Sequence, residues 1–258
     1  MTRRNGTSKA AKTLFLALLS VMVLCTGCEH AQIQESELRA RIITYYEDVR
    51  AGRDPDIGPL REYLPDSALV TAIGWTRSGK VFYDVISGDV DHEKRHLIYV
   101  PNRPRFKGKR SMLIDVYTIR KTDLPEYFEF SKKIKDGFAS INEDAVFLDA
   151  RNSADTRVLQ EAYEHELMHV LDRDIYEVLP PDMIEARAML RGILFGQIPY
   201  ENRDRIYYAV EQGEPHYKRA GQRLLEAFHG LLGPGGFSEA TAEEIQDVAA
   251  VLSVFIVL

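Results

Sequence analysis

The period of the apolar positions changes along the chain, and the changes mark out its elements. Between Ser36 and Ala51, the residues Leu38, Ile42, Tyr45, Tyr46 and Val49 recur at helical spacing and predict one amphipathic helix. Gly52 and the Asp54-Pro55 and Gly58-Pro59 pairs end it. From 67 to 150 the signal is that of strands. Leu69–Trp75 and Val81–Ile86 are β-rich runs around Arg77-Ser78-Gly79-Lys80, which predicts a hairpin. His96–Val100 and Met112–Ile119 are two further strands, joined by a basic, proline-containing loop over Pro101–Lys109. Pro125–Lys135 reads as a helix closed by Asp136-Gly137, and Ala145–Asp149 as a short strand. Trp75, the single tryptophan, is expected in the core.

From 153 onward the helical period returns. Asn152 to Asp155 supply N-cap residues for a helix with Val158, Ala162, His165, Glu166 and His169 on one side. Tyr163, Leu167, Val170 and Leu171 lie on the other, so this helix is expected to be central and buried. A second helix starts at Pro181, a residue suited to a first turn, and stops at Gly196. Residues 197–214 are less regular and more polar. Pro215–Leu232 is a further helix closed by Gly233-Pro234-Gly235-Gly236, and Thr241 with Glu244 forms a capping-box pair opening a last one. The apolar end Val248–Leu258 is too short to span a bilayer and is expected in the core. These elements predict an α+β fold in one domain over 37–258. Its strand-rich part is 67–150, its paired helices lie in 153–196, and 197–258 is helical.

The first residues follow a different pattern. Arg3, Arg4, Lys9 and Lys12 precede the apolar stretch Leu14–Leu24, which has the length of a signal h-region and is short for a membrane span. The stretch runs into Leu24-Cys25-Thr26-Gly27-Cys28, similar to a bacterial lipoprotein processing site, with Cys25 where a leucine is usual. The expectation is a signal peptide over 1–27, a lipidated Cys28 and a short tether over 28–36. It would place the protein at the bacterial cell envelope, bound to the membrane by lipid. Cys25 and Cys28 are the only cysteines, so the mature domain would have no disulfide. Removing the four signal cations takes the formal charge from −6 to about −10, which argues against nucleic acid or anionic lipid as a charge-driven partner.

The chemistry concentrates in His165-Glu166-Leu167-Met168-His169. On a helix the two histidines share one face a turn apart, and Glu166 stands beside them. This H-E-x-x-H spacing suits two zinc ligands and a general base that activates water. A catalytic zinc needs a third protein ligand. The extension H-x-x-G-x-x-H fails at Asp172 and Ile175. Glu185 is the better candidate, lying nearly opposite Arg187 and Arg191 on its helix among Ala188, Met189 and Gly192, of which the small Ala188 and Gly192 allow a close approach to the metal helix. A carboxylate on a buried face calls for a metal or an ion pair, for which Arg173 is the available partner. Glu177 is too near His169, Glu201 lies in polar sequence, and Glu211 and Glu214 are fallbacks. Asp172, one turn past His169, is either an acceptor that orients a histidine or a member of a cap or salt bridge. Tyr176, Tyr207, Tyr208, His216 and His229 are the candidates for an oxyanion donor.

His165-Glu166-x-x-His169 followed by Glu185 on a second helix resembles the gluzincin group of zinc metallopeptidases. Asp172 also occurs in lethal-factor-like branches of that group, whereas the Asn-Glu-x-x-x-Asp context of thermolysin-like members is absent. The resemblance covers roughly 140–196. It implies a zincin-like α+β domain, one zinc ion, and hydrolysis of peptide or protein substrates. Zincins commonly place a strand such as Ala145–Asp149 on the cleft rim, where an extended peptide pairs with its edge. The competing expectation is a non-catalytic envelope lipoprotein that uses the same scaffold for binding or assembly.

Overall fold

The computed structural model describes residues 36–49, 51–53, 56–64, 66–75, 79–97, 106–122, 137–151, 155–197, 199–233 and 235–256. The expected signal peptide, Cys28 and the tether lie outside the described residues, as do the Pro125–Lys135 helix and the side chain of Trp75. Among the described residues, those up to Asp66 with Gly79 and Lys80 form one compact unit. Ser67–Trp75 and the residues from Val81 onward form a second.

The first unit is built on helix α1 (36–49), where the predicted stripe Leu38, Ile42, Tyr45, Tyr46 and Val49 is buried. The short helix α2 (Gly58–Arg61) opens with Pro59 in its first turn. Arg41 ties α1 to the segment after α2, donating to the Tyr63 hydroxyl at 3.0 Å and lying over its ring.

The second unit is α+β. Strands β1 (Leu69–Trp75) and β2 (Val81–Ile86) form the predicted antiparallel hairpin. A four-stranded sheet contains β3 (Gly88–Leu97), β4 (Met112–Thr122), β5 (Gly137–Ala139) and β6 (Ala145–Asp149) in the order β3-β4-β6-β5. β4 and β6 are parallel, and the outer strands are antiparallel to their neighbours. Gly88 (φ +141°) turns the chain from one sheet to the other. A Cβ there would meet the Lys121 carbonyl at 2.2 Å, so only glycine fits.

Two strand expectations change. β3 spans Gly88–Leu97, although the sequence signal fell on His96–Val100, of which 98–100 lie outside the described residues. Gly-Asp-Val-Asp-His-Glu-Lys-Arg-His-Leu has polar residues on both faces of an edge strand, so pairing with β4 forms it without apolar alternation. β6 is not at the rim. It is paired on both sides and buried at all five positions, as the unbroken Ala-Val-Phe-Leu run suits a central strand. Among the described residues, the edge beside it is β5.

One face of the sheet packs on helix α3 (Thr156–Asp172). Ile114, Val116, Val146 and Leu148 meet Ala162, Tyr163, Leu167, Val170 and Leu171 there. On the other face the rings of Phe138, Phe147, Tyr117 and His92 stack across the four strands at 4.7, 4.8 and 4.6 Å. Helices α4 (Pro181–Phe195), α5 (Pro199–Gln212), α6 (Pro215–Leu232), α7 (Gly236–Glu239) and α8 (Ala242–Ile256) enclose a second core around Leu190, Leu224, Phe228 and Phe237. α5 occupies the less regular, more polar stretch of the part expected to be helical, and Ile206 and Ala209 give it one buried stripe under a polar exterior. The capping box forms: Thr241 N–H donates to Glu244 Oε2 at 2.8 Å and Glu244 N–H to Thr241 Oγ1 at 3.2 Å. Within the described part of the apolar end, Ala249 and Leu252 face inward while Val251 and Val254 are exposed. No helix of the described residues is long and apolar enough to cross a membrane.

Candidate metal centre

Helix α3 starts at Asp155, whose carboxylate accepts from the Arg157 N–H at 2.9 Å. Hydrogen bonds from the Arg157 side chain and then its backbone hold that carboxyl at about 2. After α3 a 3-10 turn (Arg173–Ile175) reverses the chain into α4, which opens on Pro181 and ends at Gly196. Gly192 brings the two helices together, since a Cβ there would lie 2.7 Å from Glu161 Oε1.

This packing brings together His165, His169 and Glu185, with side chains 14%, 12% and 12% exposed. The two Nε2 atoms are 3.3 Å apart, and Glu185 Oε2 is 3.7 Å from each. A circle through three points so spaced has a radius of about 2.1 Å, inside the ~2.0–2.2 Å range of zinc bonds to imidazole nitrogen and carboxylate oxygen. Glu185 Oε2 is also a buried oxygen with no hydrogen-bond partner. An ion in the triangle would satisfy it, so the donor set fits a metal ion.

Burial pushes the His165 imidazole well below its ordinary range, and the nearby His169 and Arg205 act in the same direction. That keeps it neutral, the form that coordinates a metal. Glu166 lies in the cleft beside the triangle. Burial raises its carboxyl to about 7 against the pull of His169, and Glu185 and Glu161 raise it further. A hydrogen bond with the Ala139 backbone works the other way and ties Glu166 to β5.

The triangle lies in an open cleft of about 1140 Å³, bordered by Gly137–Ala139 of β5 on one side and by α4, α5 and the start of α6 on the other. Of the expected oxyanion donors, Tyr176 is at the site and its hydroxyl donates to the His169 carbonyl at 3.1 Å. Tyr208 lines the cleft but is exposed, while Tyr207 packs on Phe237 in the helical core. His216 packs against the Tyr217 ring, and His229 closes the last turn of α6. Tyr217, absent from those expectations, lines the cleft and approaches the Glu185 carboxylate. Burial, Glu185 and Glu166 push both the Tyr176 and the Tyr217 phenols above their ordinary range, so both remain donors. Pro215-His216-Tyr217 carries no signal that would direct it here, because the crossing of α6 over the cleft is a tertiary feature.

No protein-family model, curated protein or solved structure matches the chain.

Asp172 forms an ion pair. Arg187 Nε donates to its Oδ2 at 2.5 Å and Nη2 to its Oδ1 at 3.0 Å, with the side chains 0% and 3% exposed. This is the salt bridge among its two expected roles, and it joins α3, which carries His165 and His169, to α4, which carries Glu185. Arg187 is therefore interior, while Arg191 meets Glu164 at 2.8 Å. Arg173, the alternative partner for Glu185, instead takes the Glu143 carbonyl and Asp144. Of the fallback carboxylates, Glu214 lines the cleft at the N-cap of α6 and Glu211 is exposed on α5.

Proposed function

We propose that the chain is a zinc-dependent metallopeptidase, held at the bacterial cell envelope by a lipid on Cys28. The observation that carries this reading is the His165–His169–Glu185 triangle, sized for one zinc ion, with Glu166 beside it in an open cleft. The zincin-like architecture belongs to the same proposal. A central strand leads into the metal helix, an antiparallel edge strand borders the cleft, and a second helix carries Glu185. These features support it.

His165, His169 and Glu185 would hold the ion, which when bound would acidify water and polarise a carbonyl oxygen. Glu166 accepts a proton from the attacking water and returns it to the leaving amine nitrogen. The Tyr217 phenol is the donor within the cleft for the oxygen that gains negative charge, since the Tyr176 proton is already taken by the His169 carbonyl. An extended substrate pairs along β5, the last strand of its sheet among the described residues.

Incubation of the full chain with an unfolded protein substrate and zinc should yield peptide fragments. A chelator should stop the cleavage and added zinc should restore it, as read by mass spectrometry of the products. Cleavage that survives complete metal removal, or none after zinc repletion, would refute the proposal.

A further inference from the structure

Two arginines line the cleft, and they are held differently. Arg173 is 17% exposed and is taken up by the Glu143 carbonyl and Asp144. Arg205 of α5 is 40% exposed and pairs with Glu161, whose side chain is 4% exposed. Glu161 stands one turn before His165 on α3. Two glycines make room for it: a Cβ on Gly192 would fall 2.7 Å from its Oε1, and one on Gly196 3.1 Å from its Cγ. A helix seam is filled at lower desolvation cost by an apolar side chain than by a carboxylate. What the carboxylate adds here is a fixed anchor for a guanidinium at the cleft wall. The Arg205 side chain is part of the cleft lining and accessible there, and a planar guanidinium fork matches a carboxylate two bonds at a time.

We propose that Arg205, set by Glu161, is a carboxylate receptor in the cleft. It selects peptides with a carboxylate close to the bond to be cut, either an acidic side chain or the peptide's own C-terminus. This inference rests on the peptidase reading of the same site. The other charged groups sharpen the selection: Glu166, Glu185 and Glu214 also line the cleft and disfavour a substrate carboxylate placed elsewhere.

The test is binding, read on the full chain carrying Glu166→Gln so that turnover does not enter. Four fluorescein-labelled, position-randomised octapeptide libraries serve as probes, with and without acidic residues and with a free or amidated C-terminus. Fluorescence anisotropy should show about 10- to 100-fold tighter binding for one carboxylate-bearing library over its neutral counterpart, the scale of charge-assisted hydrogen bonds. Which pair differs identifies the source of the carboxylate. Arg205→Met combined with Glu161→Gln, which leaves no orphaned buried charge, should erase the preference while thermal unfolding stays cooperative. Arg205→Lys should keep only part of it. Equal affinity across the libraries, no binding of any, or a preference that survives the double substitution would overturn the inference. A carboxylate preference without hydrolysis by the unsubstituted chain would sink the peptidase reading alone, and hydrolysis without the preference would sink this one alone.

Discussion

Glu166→Gln should leave zinc bound and lower peptide hydrolysis by roughly 10²- to 10⁴-fold, the contribution of a positioned general base. The two effects separate because Glu166 is outside the ligand triangle but in the cleft next to it. Glutamine keeps the size and the hydrogen-bonding ends of the side chain and removes the basic oxygen, so the Ala139 contact and the packing around Gly137 are little disturbed. Zinc content and the initial rate of peptide cleavage, measured on one preparation, check the prediction. Unchanged cleavage would move the base elsewhere, and lost zinc would make Glu166 a ligand. A chain with bound zinc and no cleavage even with Glu166 intact would instead fit a non-catalytic binding protein.

Asp172→Ala should cost about 3–5 kcal/mol of stability, a large share of what a domain has. Arg187 would then keep its charge in a site with almost no access to water, without its two hydrogen bonds to Asp172. Replacing both partners, as in Asp172→Leu with Arg187→Met, should recover most of the loss, because two buried charges are exchanged for apolar side chains of similar volume. Urea unfolding of the single and double variants measures this. A single variant within about 0.5 kcal/mol of the unsubstituted chain, the range of ordinary surface changes, would show that the pair contributes little.

The parts of the site that follow from local spacing were legible in the chain. His165 and His169 fall on one helical face by arithmetic, Asp155, Pro181 and Gly196 bound their helices, and Thr241 with Glu244 makes its reciprocal cap. Glu185 could be singled out because a carboxylate among small and apolar neighbours needs a partner. What depends on the crossing of distant elements was not legible. Arg187 reads as polar surface on a helical wheel and is interior because Asp172 faces it across the α3–α4 seam. Tyr217 reaches the cleft only because α6 crosses it, and the Glu161–Arg205 pair joins residues far apart in the chain. Strand order was hidden for the same reason. Ala145–Asp149 looked like the rim strand because it precedes the His165–His169 helix, yet among the described residues the three of β5, too few for a periodic signal, take the edge.

Zinc content of the full chain is the most direct test. After zinc loading and exhaustive exchange into metal-free buffer, atomic spectroscopy should find one zinc ion per chain. The same measurement on Glu185→Ala, whose folding is verified by circular dichroism, should find far less, because two histidines alone leave the site short of a ligand. Retention of zinc at the same level without Glu185, or none in the unsubstituted chain, would contradict the metal centre on which the account stands.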